Sequence, residues 1–207
     1  MKNDFITRNF VANNFTAKNE NNITGHAAIF QERTSIAGLF YEVIEPGAFD
    51  QADLSDVMLL VNHNIRNIPL ARCRANNATM SINIDSKGLC VDAKLDIENN
   101  LEAKAVYSAV KRGDLDGMSF GFWIKEEKWE NLNTDMPTRR ILKIKKVSEV
   151  SIVNKPAYSG TDIAARSEGG EDAKNVLKEV RSSKKNINNK LEIEKLKIAI
   201  QYKYNKN

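Results

Sequence analysis

His26 and His63 are the only two histidines in 207 residues, so imidazole chemistry has few places to sit. His63 follows the apolar run Val57–Val61, between Asn62 and Asn64. A histidine at a strand end beside a loop is well placed to take a proton near neutral pH, although a capping or surface histidine fits the same position. His26 lies inside the strand-like Ile23–Phe30 and reads as structural. Ser119 stands between glycines in Gly117-Met118-Ser119-Phe120-Gly121, where the missing Cβ atoms would let backbone approach closely and leave a hydroxyl uncrowded. A strand serine with no role fits that pattern too. Glu149 lies in Val147-Ser148-Glu149-Val150-Ser151-Ile152-Val153, where Val150 and Ile152 share one strand face and Glu149 and Ser151 point to the other. A carboxylate there either orients an imidazole and stabilises its protonated form, or faces solvent.

The serine pattern is a literal G-x-S-x-G, the nucleophile elbow of α/β-hydrolases. Two features reject that fold. Its histidine follows the serine, whereas both histidines here precede Ser119. Its elbow opens a helix, whereas Phe120-Gly121-Phe122-Trp123-Ile124 has β character. Metal chemistry is poorly supported, because Cys73, Cys90, His26 and His63 show no compact ligand spacing. Cys73 as a nucleophile partnered by His63 has nothing beyond Arg72-Cys73-Arg74 to recommend it. No glycine-rich phosphate loop is present, and no cofactor is expected.

These residues need elements to hold them. Ile23–Phe30, Phe40–Ile44, Val57–Val61, Thr79–Ile84 and Leu89–Asp96 read as strands, the last two paired around Asp85-Ser86-Lys87-Gly88. Glu45-Pro46-Gly47 predicts a turn leading into a short helical stretch, Ala48 to Ala52. Asn100 can cap a helix whose apolar stripe includes Leu101, Ala105 and Ala109, with Gly113 as its left-handed stop. Gly117–Lys125 and Arg140–Val153 follow as strands, the second bent or split near Val147. Strands, one helix, then strands predict an α+β domain with a β-barrel-like antiparallel or mixed sheet core, since parallel α/β folds alternate throughout.

Three segments follow from texture. Residues 1–22 are polar and Asn-rich and read as an arm, with no apolar stretch of the secretory kind. Residues 23–167 form the domain. Residues 168–207 are Lys/Glu/Asn-rich beyond a Ser167–Gly170 linker and predict one or two amphipathic helices without a core of their own. The whole net charge of +4 resides in that tail, because residues 1–167 hold 21 Lys+Arg against 21 Asp+Glu. A neutral body argues against a large nucleic-acid surface. No run approaches the roughly 18 apolar residues of a membrane span, and two cysteines make no disulfide framework, so an intracellular protein is expected.

Taken in order, these segments resemble the prohead (procapsid maturation) proteases of tailed bacteriophages. The matching stretches are Ile23–Phe30, Glu42–Phe49, Val61-Asn62-His63-Asn64 with Pro69–Arg72, Val110–Asp114 running into Gly117–Phe122, and Glu149–Tyr158. The resemblance spans about residues 23–166. Two departures are His26, where the family usually has Tyr, and Ala71, where it has Gly. The family is similar in fold to the herpesvirus assembly proteases, whose Ser-His-His set runs in the order His, Ser, His. The resemblance implies His63 as base, Ser119 as nucleophile and, since no histidine follows Ser119, Glu149 as the third member. It further implies oxyanion donors near an arginine pair, for which Arg139-Arg140 is the only candidate.

What the resemblance implies is a serine endopeptidase acting in the host cytoplasm inside the immature shell. Its substrates would be the scaffolding region of the major capsid protein and the protease itself. A detachable docking tail would be removed by self-cleavage between about Tyr158 and Lys185. The alternative is a non-catalytic capsid-assembly component that kept the fold.

Overall fold

Alternation builds the sheets. Leu89, Val91 and Ala93 are buried while Cys90 and Asp92 between them are partly exposed, the pattern of a strand with one face on a core. The computed structural model describes residues 5–11, 15–18, 21–154 and 170–204. Strands β1 (Phe5–Val11), β2 (Thr16–Lys18), β3 (Asn22–Ile29), β4 (Thr34–Ile36) and β5 (Phe40–Ile44) come first. Then follow β6 (Asp56–Val61), β7 (Ala71–Arg74), β8 (Met80–Ile84) and β9 (Gly88–Lys94). Helix α1 (Leu101–Arg112), the long strands β10 (Gly117–Glu130) and β11 (Thr138–Val153), and helix α2 (Gly170–Tyr204) complete the order.

One sheet runs β1-β10-β11-β5-β4, with β6 joined to β11 and β7 to β6; the other runs β2-β3-β9-β8. Strand β11 pairs antiparallel with β10 along one edge. Its other edge is shared, parallel to β5 at residues 138–141 and to β6 at 149–152. The fold is α+β with mixed and antiparallel sheets, as expected, but the barrel is not: among the described residues neither sheet closes on itself. Closure needs the last strand to return to the first, and here β11 divides one edge between two strands that end in separate margins, β4 and β7.

Residues from both sheets and α1 form one core, among them Ile23, Leu89, Phe120, Phe122, Ile144, Val150, Ile152, Ala103 and Val106. Phe120 and Phe122 stack with centroids 4.3 Å apart at its centre. Helix α1 begins and ends where its cap residues dictate. Asn100 accepts from the amides of Glu102 at 3.0 Å and Ala103 at 3.2 Å. Gly113 takes φ 79° and closes the C-terminus on the carbonyls of Ala109 and Val110.

Elsewhere the sequence expectations need correction. The stretch read as an arm contributes β1, paired to β10, and β2, paired to β3. The short helical stretch at Ala48–Ala52 is instead a series of turns. Strand β11 is not split at Val147, but it has the irregularity expected there: Ser148 is an extra residue where Gly121 faces Glu149 and Phe122 faces Val147, a bulge of the kind that bends a strand. The tail forms the single helix α2, whose first turns are docked: Ala173 and Leu177 are buried, and Arg181 donates to the carbonyls of Leu132 and Thr134. Residues 170–185 of the expected self-cleavage zone are therefore helical rather than loop-like, and 155–169 lie outside the described residues. Further along α2, Leu191, Ile193, Leu196 and Ile198 are exposed. No described helix is long and apolar enough to cross a membrane.

Candidate active site

Three neighbouring strands set the positions. On β10, Ser119 lies opposite Ser151 and Gly121 opposite Glu149 of β11. Strand β6 runs parallel on the far side of β11, bringing Val61 level with Ile152. The chain leaves β6 through two left-handed residues, Asn62 at φ 48° and His63 at φ 59°. Such conformations are uncommon for residues with a Cβ and are held only by surrounding contacts. Here the Asn62 amide N–H donates to the Ile152 carbonyl at 2.9 Å, and its side chain exchanges hydrogen bonds with Asn154, both at 3.2 Å. The His63 amide N–H donates to Ser151 Oγ at 3.2 Å. The turn carries the imidazole back across β11 to β10.

The result is a series of contacts. Ser119 Oγ lies 2.7 Å from His63 Nε2, and His63 Nδ1 lies 2.7 Å from Glu149 Oε1. Ser151 donates to the other carboxylate oxygen, Oε2, at 2.6 Å. The His63 side chain is about a quarter exposed while Glu149 is buried. A buried carboxylate against Nδ1 favours the tautomer with its proton on that nitrogen, in which Nε2 is an acceptor toward the serine hydroxyl. The arrangement can deprotonate an attacking hydroxyl and hold the resulting imidazolium.

Gly121 has a different role from the one its motif suggests. Its φ is ordinary, but an added Cβ would collide with Glu149 Oε1 on one side and the Phe5 ring on the other. The glycine makes room for the carboxylate rather than for a sharp turn. Ser151 and Gly121 contact the candidate site, and the sequence pattern did not single them out for it. The period of two from Glu149 pointed to Ser151, whereas Gly121's role depends on a cross-strand register.

The arginine pair is not brought to the serine. Arg139 and Arg140 face Trp129 and Lys128 of β10, about ten positions from Ser119, and on their other side lie Glu42 and Val43 of β5. Flanked by strands on both edges, their backbone is committed to sheet pairing. The Arg139 guanidinium engages Glu127 and Glu42, and that of Arg140 engages Glu130 at 2.7 Å and Glu45 at 2.5 Å. They are structural ion pairs at the opposite end of the hairpin, and their expected place beside the oxyanion is corrected accordingly.

His26 also serves locally. Its Nε2 lies 2.9 Å from Asp85 Oδ2, while Asp85 Oδ1 accepts from the amides of Lys87 and Gly88 in the β8–β9 turn. Burial disfavours the Asp85 charge, but the hydrogen bonds from His26, Gly88 and Lys87 outweigh it and lower the pKa. With Cys90, these make the one group of potential metal donors among the described residues, the three ligand atoms lying within 4.8 Å of one another. The carboxylate is already engaged by the histidine and the turn. Cys73, near the Leu54 carbonyl, is remote in register from Ser119.

A family model described as Caudovirus prohead serine protease matches residues 9–176. The prohead protease of Enterobacteria phage HK97 is 30% identical over 145 residues, covering 68% of this chain and 58% of that protein. The chain thus spans less than two thirds of that relative's length. No solved structure matches it.

Proposed function

The chain belongs to the caudovirus prohead serine protease family, and from that premise we propose that it is a serine endopeptidase of phage prohead maturation, with Ser119, His63 and Glu149 as its catalytic residues. The observation that carries this reading is the unbroken Ser119–His63–Glu149 series. Ser119 Oγ attacks the scissile carbonyl as its proton passes to His63 Nε2. Glu149 holds Nδ1–H and stabilises the imidazolium, which then protonates the leaving amine. Water repeats the sequence on the acyl-enzyme and releases the acid. No cofactor enters.

The proposed substrates are the scaffolding region of the major capsid protein and the protease chain itself, cut inside the immature shell. The exposed apolar residues of distal α2 are the proposed docking element toward that shell. Co-expression with the capsid protein tests the reading. Wild-type chain should shorten the capsid subunit, and Ser119→Ala and His63→Ala should each leave it full length while keeping the native circular dichroism spectrum. Processing by Ser119→Ala at the wild-type rate ends the serine-protease reading. One observation favours the alternative of a non-catalytic assembly component: Ser119 has no exposed surface.

A further inference from the structure

The burial of Ser119 has a specific cause. An attacking oxygen must come within about 3–3.5 Å of a carbonyl carbon, yet Ser119 is 0% exposed although the His63 side chain beside it is 24% exposed. The group against its hydroxyl is the backbone of β1: Ser119 Oγ donates to the Arg8 carbonyl at 2.8 Å. A serine hydroxyl carries one proton and a carbonyl can only accept. While that proton is directed to Arg8, it is not directed to His63 Nε2. The contact therefore blocks both the approach of a substrate and the activation of the nucleophile.

The strand that makes this contact lies as an extended peptide would. Strand β1 is antiparallel to β10 from Phe5 opposite Trp123 to Val11 opposite Gly117, with Asn9 opposite Ser119. Addition of an extended chain to a sheet edge is a common mode of peptide recognition, because the ladder of main-chain hydrogen bonds is independent of sequence. Strand β1 is also terminal in its sheet, so lifting it breaks one ladder only. Among its described side chains, Ile6 packs against the core, Phe5 lies tilted against Trp123 at 4.7 Å yet is 46% exposed, and Arg8 pairs with the buried Glu42.

We propose that β1 is an inhibitory self-strand, occupying the place beside Ser119 that an extended substrate chain takes, and that Ser119 becomes reactive when β1 is displaced. The proposal rests on the reading of Ser119 as nucleophile. An incoming chain restores the ladder that β1 gives up, so the exchange is nearly balanced in hydrogen bonds. Because β1 is tethered, its effective concentration is on the order of millimolar, and only substrate packed to a similar density competes. An extended segment of a protein confined with the enzyme meets that condition; a dilute peptide does not.

Covalent labelling with a fluorophosphonate tests this on the full-length chain. Ser119 Oγ forms a bond to phosphorus, the P–F bond breaks, fluoride leaves and the hydroxyl proton passes to His63. Phe5→Ala removes the partly exposed ring contact with Trp123 and should label about three- to tenfold faster than the unchanged chain. The pair Phe5→Cys with Trp123→Cys places two thiols at facing positions. Its oxidised form, verified by peptide mass, should label at least roughly tenfold more slowly than the same protein after reduction. Equal labelling of the oxidised and reduced forms overturns the inhibitory strand and leaves the protease reading intact. Absence of Ser119 labelling in every form overturns the nucleophile assignment, and this proposal with it.

Discussion

Ser151 donates its hydroxyl to Glu149 Oε2 at 2.6 Å from two residues further along the same strand. The bond ties down the oxygen that His63 does not use and so fixes the plane in which Oε1 meets Nδ1. Glu149→Gln replaces the charge with an amide and cannot stabilise an imidazolium. It should lower kcat by roughly two to four orders of magnitude with little change in KM. Ser151→Ala leaves the charge and removes its support, so a drop on the order of tenfold is expected, in line with one hydrogen bond to a charged group. Wild-type turnover in Glu149→Gln would remove that residue from the mechanism.

Gly121→Ala adds one methyl between Glu149 and Phe5, in contact with both. Forced overpacking of this kind costs about 1–3 kcal/mol. Thermal unfolding should report that loss, and kcat/KM should fall at least roughly tenfold as the carboxylate is pushed from His63. Unchanged activity would mean that the carboxylate has room to yield.

Asn100→Ala tests whether α1 depends on its cap. Two amides lose their acceptor, and about 1 kcal/mol of stability should go in urea denaturation. Peptidase activity should be unchanged at temperatures where the variant is folded, because α1 carries none of the proposed catalytic residues.

Asp53 gives a pH-dependent prediction. Hydrogen bonds from the Ser55 hydroxyl and amide, with Lys146 beside them, lower its pKa to about 2. A carboxylate pKa depressed in the folded state contributes stability above its unfolded value, about 3.9, and the contribution is lost as pH falls toward 2. The group is exposed, so the contribution is under about 1 kcal/mol. Asp53→Asn should thus unfold at slightly lower urea than wild type at pH 6, with the gap closing between pH 4 and 2. A gap independent of pH would assign the effect to the loop's backbone contacts.

The sequence made legible whatever rests on short-range pattern. Phe40–Ile44 and the Asn100-to-Gly113 helix appear where alternation and capping residues put them. The α+β class followed from their order. Strands β1 and β2 were not legible: Phe5–Val11 mixes charged and apolar residues without a core-facing period, and its strand character comes from β10, more than a hundred positions away. The same distance hid Arg8 as Ser119's partner. Arg139-Arg140 misled for the opposite reason, since adjacency in sequence says nothing about which end of a long hairpin a pair occupies. The geometry of His63, Ser119 and Glu149 depended on β6 meeting β11 in parallel, a pairing no local motif encodes.

That parallel pairing has a consequence in time. Strands β6 and β7 join the rest of their sheet through β11, and Glu149 is 86 positions from the histidine it contacts. Contacts this distant in sequence form late, after the entropy of closing a long loop has been overcome. During synthesis, His63 and Ser119 are both polymerised before residues 149–152 exist to align them. The nascent chain therefore carries both reacting groups without a site, and the site assembles only when nearly all of the sheet has been made.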